Sequence, residues 1–562
     1  MYTVIFKREN RPDIKVLSEP GENILELARK SGVAVDAPCS GNGTCGKCRM
    51  RLISGAVDCQ RSPRLSEEDY LDNWRLACRS SVSGDAVLLV PASAGAFQED
   101  IRTADLSSPE ELARYERYTG EIFASGIARG CREQGIGVAI DVGTTTVTAA
   151  MLELESGKVL SKAGLGNGQI RYGADVIHRI IQSSRPGGRE KLQKAILDDT
   201  VFPILRKLCA DAAVAPEEIR RLVVAGNTTM EHLLVGANAE SIRLEPFVPE
   251  FLELRGKTAG ELSFPAAGDA PLIFSPNVGS YVGGDITAGV LASGMGNSEE
   301  MTLFIDLGTN GELVFGNSEF LLCCACSAGP AFEGGDISCG MRATTGAVDA
   351  CTLCAETLEP TLSVLGGGKP AGLCGSGLIS LISELFRCGA VDARGRFIRE
   401  NRRVRRDEYG GGAYVLAFAE ESATGREITL DESDIDNFVR AKAAIFSAIR
   451  TMLRSLDMTP EDIDRVILAG GIGSGIDIEK AVSIGMLPKL PPEKYSYIGN
   501  SSLTGACAML LSDKAEEKVF ELGRNMTYIE LSTEAGYMDE FVAACFLPHT
   551  DASLFAGEGC DA

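Results

Sequence analysis

One pattern occurs twice in this chain, as GVAIDVGTTTVTAAML over 137–152 and TLFIDLGTNGELVFG over 302–316. Each copy runs from an apolar, β-branched stretch into Asp-x-Gly-Thr and then into a second apolar stretch, the signature of two strands joined by a tight polar turn. The glycine lets the backbone turn, and the Thr hydroxyls with the exposed N–H groups of the turn make a cradle for phosphate. The acidic residue at the strand end, Asp141 or Asp306, is placed to hold Mg2+ or its waters. The two aspartates stand 165 residues apart, about one domain of chain.

A Gly-rich turn after a third apolar strand, RVILAGGIGSGID (465–477), follows 164 residues beyond Asp306. A single Gly-Thr turn between strands is ordinary turn chemistry; two copies and an evenly spaced Gly-Gly turn are not. The set resembles the actin, Hsp70 and sugar-kinase superfamily, in which two related lobes close on ATP. That resemblance implies two phosphate hairpins, with Gly143, Thr144 and Thr145 in one and Gly308, Thr309 and Asn310 in the other. It also implies an adenosine loop at Gly470, Gly471 and Gly473.

The chain has 562 residues, room for about three or four domains. Its net charge of −23 argues against a general binder of nucleic acid or of an anionic membrane. No apolar run approaches the length of a membrane-spanning helix, and the strand-like N-terminus lacks the apolar centre of a signal peptide, so a cytoplasmic protein is expected. In a reducing compartment its 18 cysteines read as metal ligands or buried thiols before disulfides.

The first ninety residues supply the ligands. Residues 2–7 and 13–17 read as strands and 22–32 as a short helix. In APCSGNGTCGKCRMRLISG (37–55), Cys39, Cys45 and Cys48 are spaced C-x5-C-x2-C among Gly41, Gly43 and Gly46. Such a loop can wrap its N–H groups around a sulfur-bridged cluster. Cys78 is the candidate fourth thiolate, with Cys59 as a rival; a zinc site is the other reading, though zinc usually takes two C-x2-C pairs. Gly41 to Lys47 mimics a P-loop, but Cys48 stands where Ser or Thr is needed. Spacing and glycines resemble a [2Fe–2S] ferredoxin of the plant and adrenodoxin type, with five residues instead of four between the first two cysteines.

Residues 94–135 read as a partly helical linker tethering this module. SPNVGSYVGGDITAGVLASGM (275–295) opens a helix at Asp285, a candidate for orienting the attacking water or for the metal side of the site, with a helix cap as the bland alternative. CCACSAGPAFEGGDISCGMRATTGA (323–347), with Ser327, Gly329 and Glu333, is placed along the nucleotide cleft, and LCGSGL puts Gly375 at a helix N-terminus suited to phosphate or ribose. Cys323, Cys324 and Cys326 read as buried thiols, and the arginines of ENRRVRRDEYGGG (400–412) as a solvated loop or a contact for an acidic partner. His178, His232 and His549 read as structural.

The whole chain resembles the reductive activators of corrinoid proteins. C-x5-C-x2-C…C, IDVGTTT, IDLGTNGE, CSAGPAFEGG, LCGSGL and LAGGIG carry the resemblance. It implies an α/β multidomain protein: a β-grasp ferredoxin-like domain (1–93), a helical linker (94–135), a middle domain forming the first actin-like (RNase-H-like) lobe (136–298) and a C-terminal ATP-binding lobe (299–562). It further implies a [2Fe–2S] cluster on Cys39, Cys45, Cys48 and Cys78, with ATP and Mg2+ at Asp141, Asp306 and Asp285. The activity implied is ATP-dependent return of Co(II) to Co(I) in a corrinoid (cobalamin-binding) protein of a methyltransferase or O-demethylase system. A low-potential electron donor and a homodimer are implied as well. Two other readings compete: an ATP-dependent activator of a radical dehydratase, and a redox-sensing module that no longer hydrolyses ATP.

Overall fold

The computed structural model describes residues 1–562 apart from 9, 10, 34, 36, 38–40, 42, 44, 45, 63, 92–108, 174, 309, 407–409, 472–474 and 556–562. Of the expected site residues, Cys39, Cys45, Thr309 and Gly473 lie outside the described residues. Contacts divide the chain into two bodies, Met1–Arg102 with Gly168–Arg179, and Thr103–Asn167 with Ile180–Ala562.

The first body is built on a five-stranded sheet of β1 (Tyr2–Arg8), β2 (Arg11–Ser18), β3 (Arg49–Cys59), β4 (Trp74–Leu76) and β5 (Ser80–Val90), in the order β2-β1-β5-β3-β4. β1 and β5 run parallel and the other pairs antiparallel. The helix Ile24–Lys30 is started by Asn23, whose side chain accepts from the N–H groups of Leu25 and Glu26. It buries Ile24, Leu25, Leu27 and Ala28 in one core with Val4, Phe6 and Leu88. This is the β-grasp arrangement expected.

The second body holds two six-stranded sheets with one plan. In the first, β6 (Ile136–Val142), β7 (Thr146–Glu153), β8 (Val159–Gly166), β9 (Ile219–Gly226), β10 (Lys257–Thr258) and β11 (Pro271–Phe274) lie in the order β10-β11-β9-β6-β7-β8. In the second lobe, β12 (Thr302–Leu307), β13 (Gly311–Gly316) and β14 (Leu321–Cys326) form the same antiparallel meander. Two small sheets follow: β15 (Ala347–Leu353), β16 (Pro360–Val364) and β17 (Gly372–Leu373), then β18 (Val404–Arg406), β19 (Gly412–Ala417) and β20 (Ile428–Asp431). β21 (Arg465–Ala469), β22 (Tyr495–Tyr497) and β23 (Met526–Tyr528) complete the order β22-β21-β12-β13-β14-β23.

Register fixes the equivalences. β9 pairs parallel to β6 with Ala225 opposite Asp141, and β21 pairs parallel to β12 with Ala469 opposite Asp306. The Gly470 turn is therefore the second lobe's counterpart of Gly226-Asn227. The small sheets and the 24-residue helix Glu432–Ser455 intervene in the second lobe and lengthen the interval there.

The described part of the expected linker is helical and packed, not free. Over Pro109–Ala124 it is a helix whose Tyr115, Tyr118 and Ile122 are buried in the core of the second body beside the helix Ser501–Leu511. Tyr118 Oη donates to the Tyr497 carbonyl at 2.8 Å. These three residues, spaced i, i+3, i+7, make one apolar stripe in an otherwise polar helix, and such a stripe gains free energy only when covered.

Candidate functional site

Two thiols of the first body converge from different elements. Cys48 stands just before β3 and Cys78 lies in the turn Ala77–Arg79 between β4 and β5. Their Sγ atoms are 3.3 Å apart, well beyond the ~2.05 Å of a disulfide. Asn23, the helix cap, also donates through Nδ2 to the Cys78 carbonyl at 3.0 Å, tying the helix to the turn that carries the thiol. Two sulfurs facing each other at this spacing fit shared ligation of one cluster iron. The rival Cys59 ends β3 opposite Ser80 of β5. Its thiol instead meets Tyr70 Oη at 3.4 Å. The remaining expected ligands, Cys39 and Cys45, lie outside the described residues.

In the second body the two hairpins turn as their sequences require. Gly143 N donates to the Thr146 carbonyl at 3.0 Å and Gly308 N to the Asn310 carbonyl at 3.1 Å. Asn167 braces the first turn, donating through Nδ2 to the Gly143 carbonyl at 2.9 Å and through its own N–H to the Thr145 carbonyl. Asn227, at the cap of the helix Thr228–Val235, donates to Thr144 Oγ1 at 3.0 Å.

The aspartates are completed crosswise. Each lobe ends its sheet with a strand followed by a helix, Gly284–Ser293 after β11 and Ser501–Leu511 after β22. The two helices pack so closely that a Cβ on Gly505 would lie 2.0 Å from the Ala288 carbonyl. The helix of the second lobe reaches the first hairpin: Asn500 Nδ2 and Ser502 Oγ each donate to Asp141 at 2.8 Å. The helix of the first lobe brings Asp285 to the second hairpin, where it faces Asp306 and Glu312.

These carboxyls do not share one environment. Burial raises Asp141, but donors from Asn500, Ser502 and Thr148 hold it down. Asp306 is pushed up to about 7 by burial and then by the Asp141 charge, with the Ser501 hydroxyl opposing. Asp285 and Glu312 are raised further, by burial first and then by neighbouring carboxylates. Buried like charges each disfavour the next and so favour a nearby cation, although among the described residues no three or more such side chains are placed to hold a metal ion by themselves. The donor set, all hard oxygens, suits Mg2+ and its waters.

The glycine turns expected on the adenosine side also come together. Gly470 has a positive φ of +89°, and a Cβ there would fall 2.6 Å from the Leu307 carbonyl and 2.7 Å from Asp306 Oδ1. No other residue fits. Gly475, at the end of the same turn, approaches the Ser376 side chain, so the Gly470–Gly471 turn and the Gly375 helix start are neighbours. Tyr497 Oη donates to the Gly470 carbonyl at 2.7 Å. Gly329 leads into the short turn Pro330–Glu333, where Glu333 accepts from Thr145 at 3.0 Å across the cleft.

Asn500, Ser501, Ser502 and Glu231 were not evident as site residues. The first three read as an ordinary helix start in IGNSSLTG; the signal was the strand-turn-helix they share with SPNVGSYVGGD. Glu231 is wholly buried, accepts from Asn277 at 2.9 Å, and Asn277 accepts from Gly284 N–H at the start of the Asp285 helix. The three cysteines of β14 are buried thiols, and Arg403 pairs with Glu359 and Glu421, which leaves less of the arginine loop for a partner. His232 is buried, stacked on Phe251 with centroids 3.9 Å apart. Among the described residues no helix is long and apolar enough to cross a membrane.

Three family models match in sequence order: a 2Fe-2S iron-sulfur cluster binding domain over residues 7–83, the RACo middle region over 136–298, and the C-terminal domain of RACo, the ASKHA domain, over 300–557. The chain is 32% identical to the corrinoid activation enzyme RamQ of Eubacterium limosum, over 92% of this chain and 95% of that one. It is 22% identical to the [Co(II) methylated amine-specific corrinoid protein] reductase of Methanosarcina barkeri, over 70% and 73% of the two chains. Among solved structures, a reductive activator for corrinoid, iron-sulfur protein matches with a TM-score of 0.69 and 38% identity, over 99% of this chain and all of that one.

Proposed function

This chain belongs to the RACo family of reductive activators of corrinoid proteins, and from that premise we propose that it uses ATP to drive one electron onto the cobalt of a corrinoid protein, returning Co(II) to Co(I). The observation that supports the ATP-dependent part is the crossed arrangement of the lobes: the second lobe's helix start binds Asp141 of the first, and the first lobe's Asp285 feels the charges of Asp306 and Asp141.

Cys48 and Cys78, with Cys39 and Cys45, would hold a [2Fe–2S] cluster, which supplies one-electron chemistry when bound. Plant-type clusters lie near about −400 mV, and every 59 mV uphill for one electron costs roughly a factor of ten at equilibrium. A nucleotide offsets such a gap only if it binds one state of the complex better than another. The cleft provides for that. Thr144 and Thr145 on one lobe and Asn310 on the other offer donors to phosphate oxygens, while Asp306 and Asp285 face the position a divalent cation would take. Gly471, with open space where a side chain would stand, leaves room for a purine, and Gly375 opens a 13-residue helix whose N-terminus favours anions.

Hydrolysis needs a water aimed at the terminal phosphate. Asp285, at the first turn of its helix and opposed to Asp306, is the residue that would orient it. Closure of the lobes thus both completes the site and changes the surface offered to the partner. A corrinoid protein of a methyltransferase or O-demethylase system is the expected partner, with a low-potential donor reloading the cluster, and a homodimer is the expected assembly.

The test is direct. Reduced, cluster-loaded protein is mixed with a Co(II) corrinoid protein, and the Co(I) absorbance is followed with and without Mg–ATP. Co(I) appearing only with ATP supports the proposal; equal Co(I) in both, or none in either, overturns it.

A further inference from the structure

Two residues from opposite lobes meet at the point where a nucleotide phosphate would bind. Thr145 sits in the turn between β6 and β7, and its hydroxyl donates to Glu333 Oε2 at 3.0 Å. A hydroxyl has one proton to give. While Glu333 accepts it, Thr145 cannot donate to a phosphate oxygen. A carboxylate at that hydroxyl also repels an arriving phosphate through charge alone.

Glu333 is mounted on something stiff. It ends the turn Pro330–Glu333, whose Ala331 and Phe332 are 3% and 1% exposed. Phe332 packs edge-on against Phe438 of the 24-residue helix, with ring centroids 5.6 Å apart. The backbone just beyond is equally confined, since a Cβ on Gly334 would lie 2.5 Å from Met341 N. The carboxylate therefore cannot swing aside without cost, and its removal from Thr145 is felt by the core of the second lobe.

We propose that Glu333 is a nucleotide-displaced latch: its carboxylate holds the first phosphate hairpin to the second lobe until a phosphate of ATP takes over the Thr145 hydroxyl. This rests on the nucleotide-binding reading above and adds to it the residue through which occupancy is communicated between lobes. Linkage makes the effect reciprocal, so the latch weakens ATP binding by the factor with which ATP weakens the latch.

The test uses the full-length, cluster-loaded chain and a non-hydrolysable ATP analogue with Mg2+. Binding is measured by calorimetry for the parent, Glu333→Gln and Glu333→Ala. Glu333→Ala is expected to bind about ten- to 150-fold more tightly, the range of one charge-assisted hydrogen bond. Glu333→Gln, which keeps shape and an acceptor but loses charge, is expected to fall between it and the parent. Hydrogen exchange gives a second readout: amides of 143–146 and 331–334 lose protection on adding analogue to the parent, and are already less protected in Glu333→Ala without it. If the parent binds the analogue but both variants bind it equally or more weakly, the latch is wrong; a selective loss of Mg2+-dependent affinity would recast Glu333 as a group on the cation side and also overturn it. If the parent itself binds no nucleotide, the functional reading fails and takes the latch with it.

Discussion

The two lobes carry the same hairpin and use it differently. In the first lobe Asp141 is wrapped by donors from Asn500, Ser502 and Thr148, all neutral. In the second lobe Asp306 meets one hydroxyl and a crowd of carboxyls. Similar local sequence has thus given one aspartate that fastens the lobes together and one that lacks counter-charge. On the function proposed above, the second would face the cation and the first would serve as a joint.

That contrast can be broken at its stronger end first. Asp306→Asn is expected to lower Mg2+-dependent ATP turnover by about 10²–10³-fold, the usual scale for removing one preorganised charge from a site. Phosphate release assays report it, and near-parental turnover would remove the cation from the second lobe. Asp141→Asn keeps one acceptor and is expected to cost only about tenfold in turnover. Its clearer effect is on stability, a loss of about 1–3 kcal/mol in chemical denaturation, because Asn500 and Ser502 are left partly unpaired. Should the two variants prove equal, the division of labour is wrong.

The joint itself can be sized. Asn500→Ala combined with Asp141→Asn should show a coupling energy of about 0.5–2 kcal/mol in a double-mutant cycle, whereas Asn500→Ala with Asp306→Asn should be closer to additive.

The smallest expected effect concerns the second lobe's inserted helix. Asp434, buried at its first turn, is raised from 3.8 to about 6 by burial and by neighbouring Asp431, against donors from Ser338. A carboxyl raised by folding binds its proton better when folded, so its contribution is most favourable below pH 4 and is lost as pH rises through about 6. Asp434→Asn should flatten that part of the pH–stability curve and raise the melting temperature by a few degrees above pH 7. An unchanged profile would mean that this carboxyl is ionised without penalty in the folded chain.

How much of this was legible in the sequence follows from the range of each interaction. The hairpins were readable because strand, turn and strand are contiguous and period-two burial marks both sides. The Gly470 turn stood out by its glycines, but its kinship did not: only the pairing of β21 with β12 makes it the counterpart of Gly226. The donors to Asp141 were hidden because Asn500 reaches it across 359 residues, and Asn-Ser-Ser before an apolar run is an ordinary cap. The helix Pro109–Ala124 showed its stripe, yet a stripe does not say what covers it. The contrast between Cys59 and Cys78 was likewise hidden, because it lies in the partner each thiol meets across the fold: Tyr70 for Cys59 and Cys48 for Cys78.

The crossed helices have a mechanical corollary. Because the Asp285 turn belongs to one half and the Asp306 hairpin to the other, and the same is true in reverse for Asn500 and Asp141, parting the halves by a few ångströms dismantles both centres at once. On the function proposed above, fuel held by an open clamp would be safe from idle burning, because both halves must grip before either centre is whole.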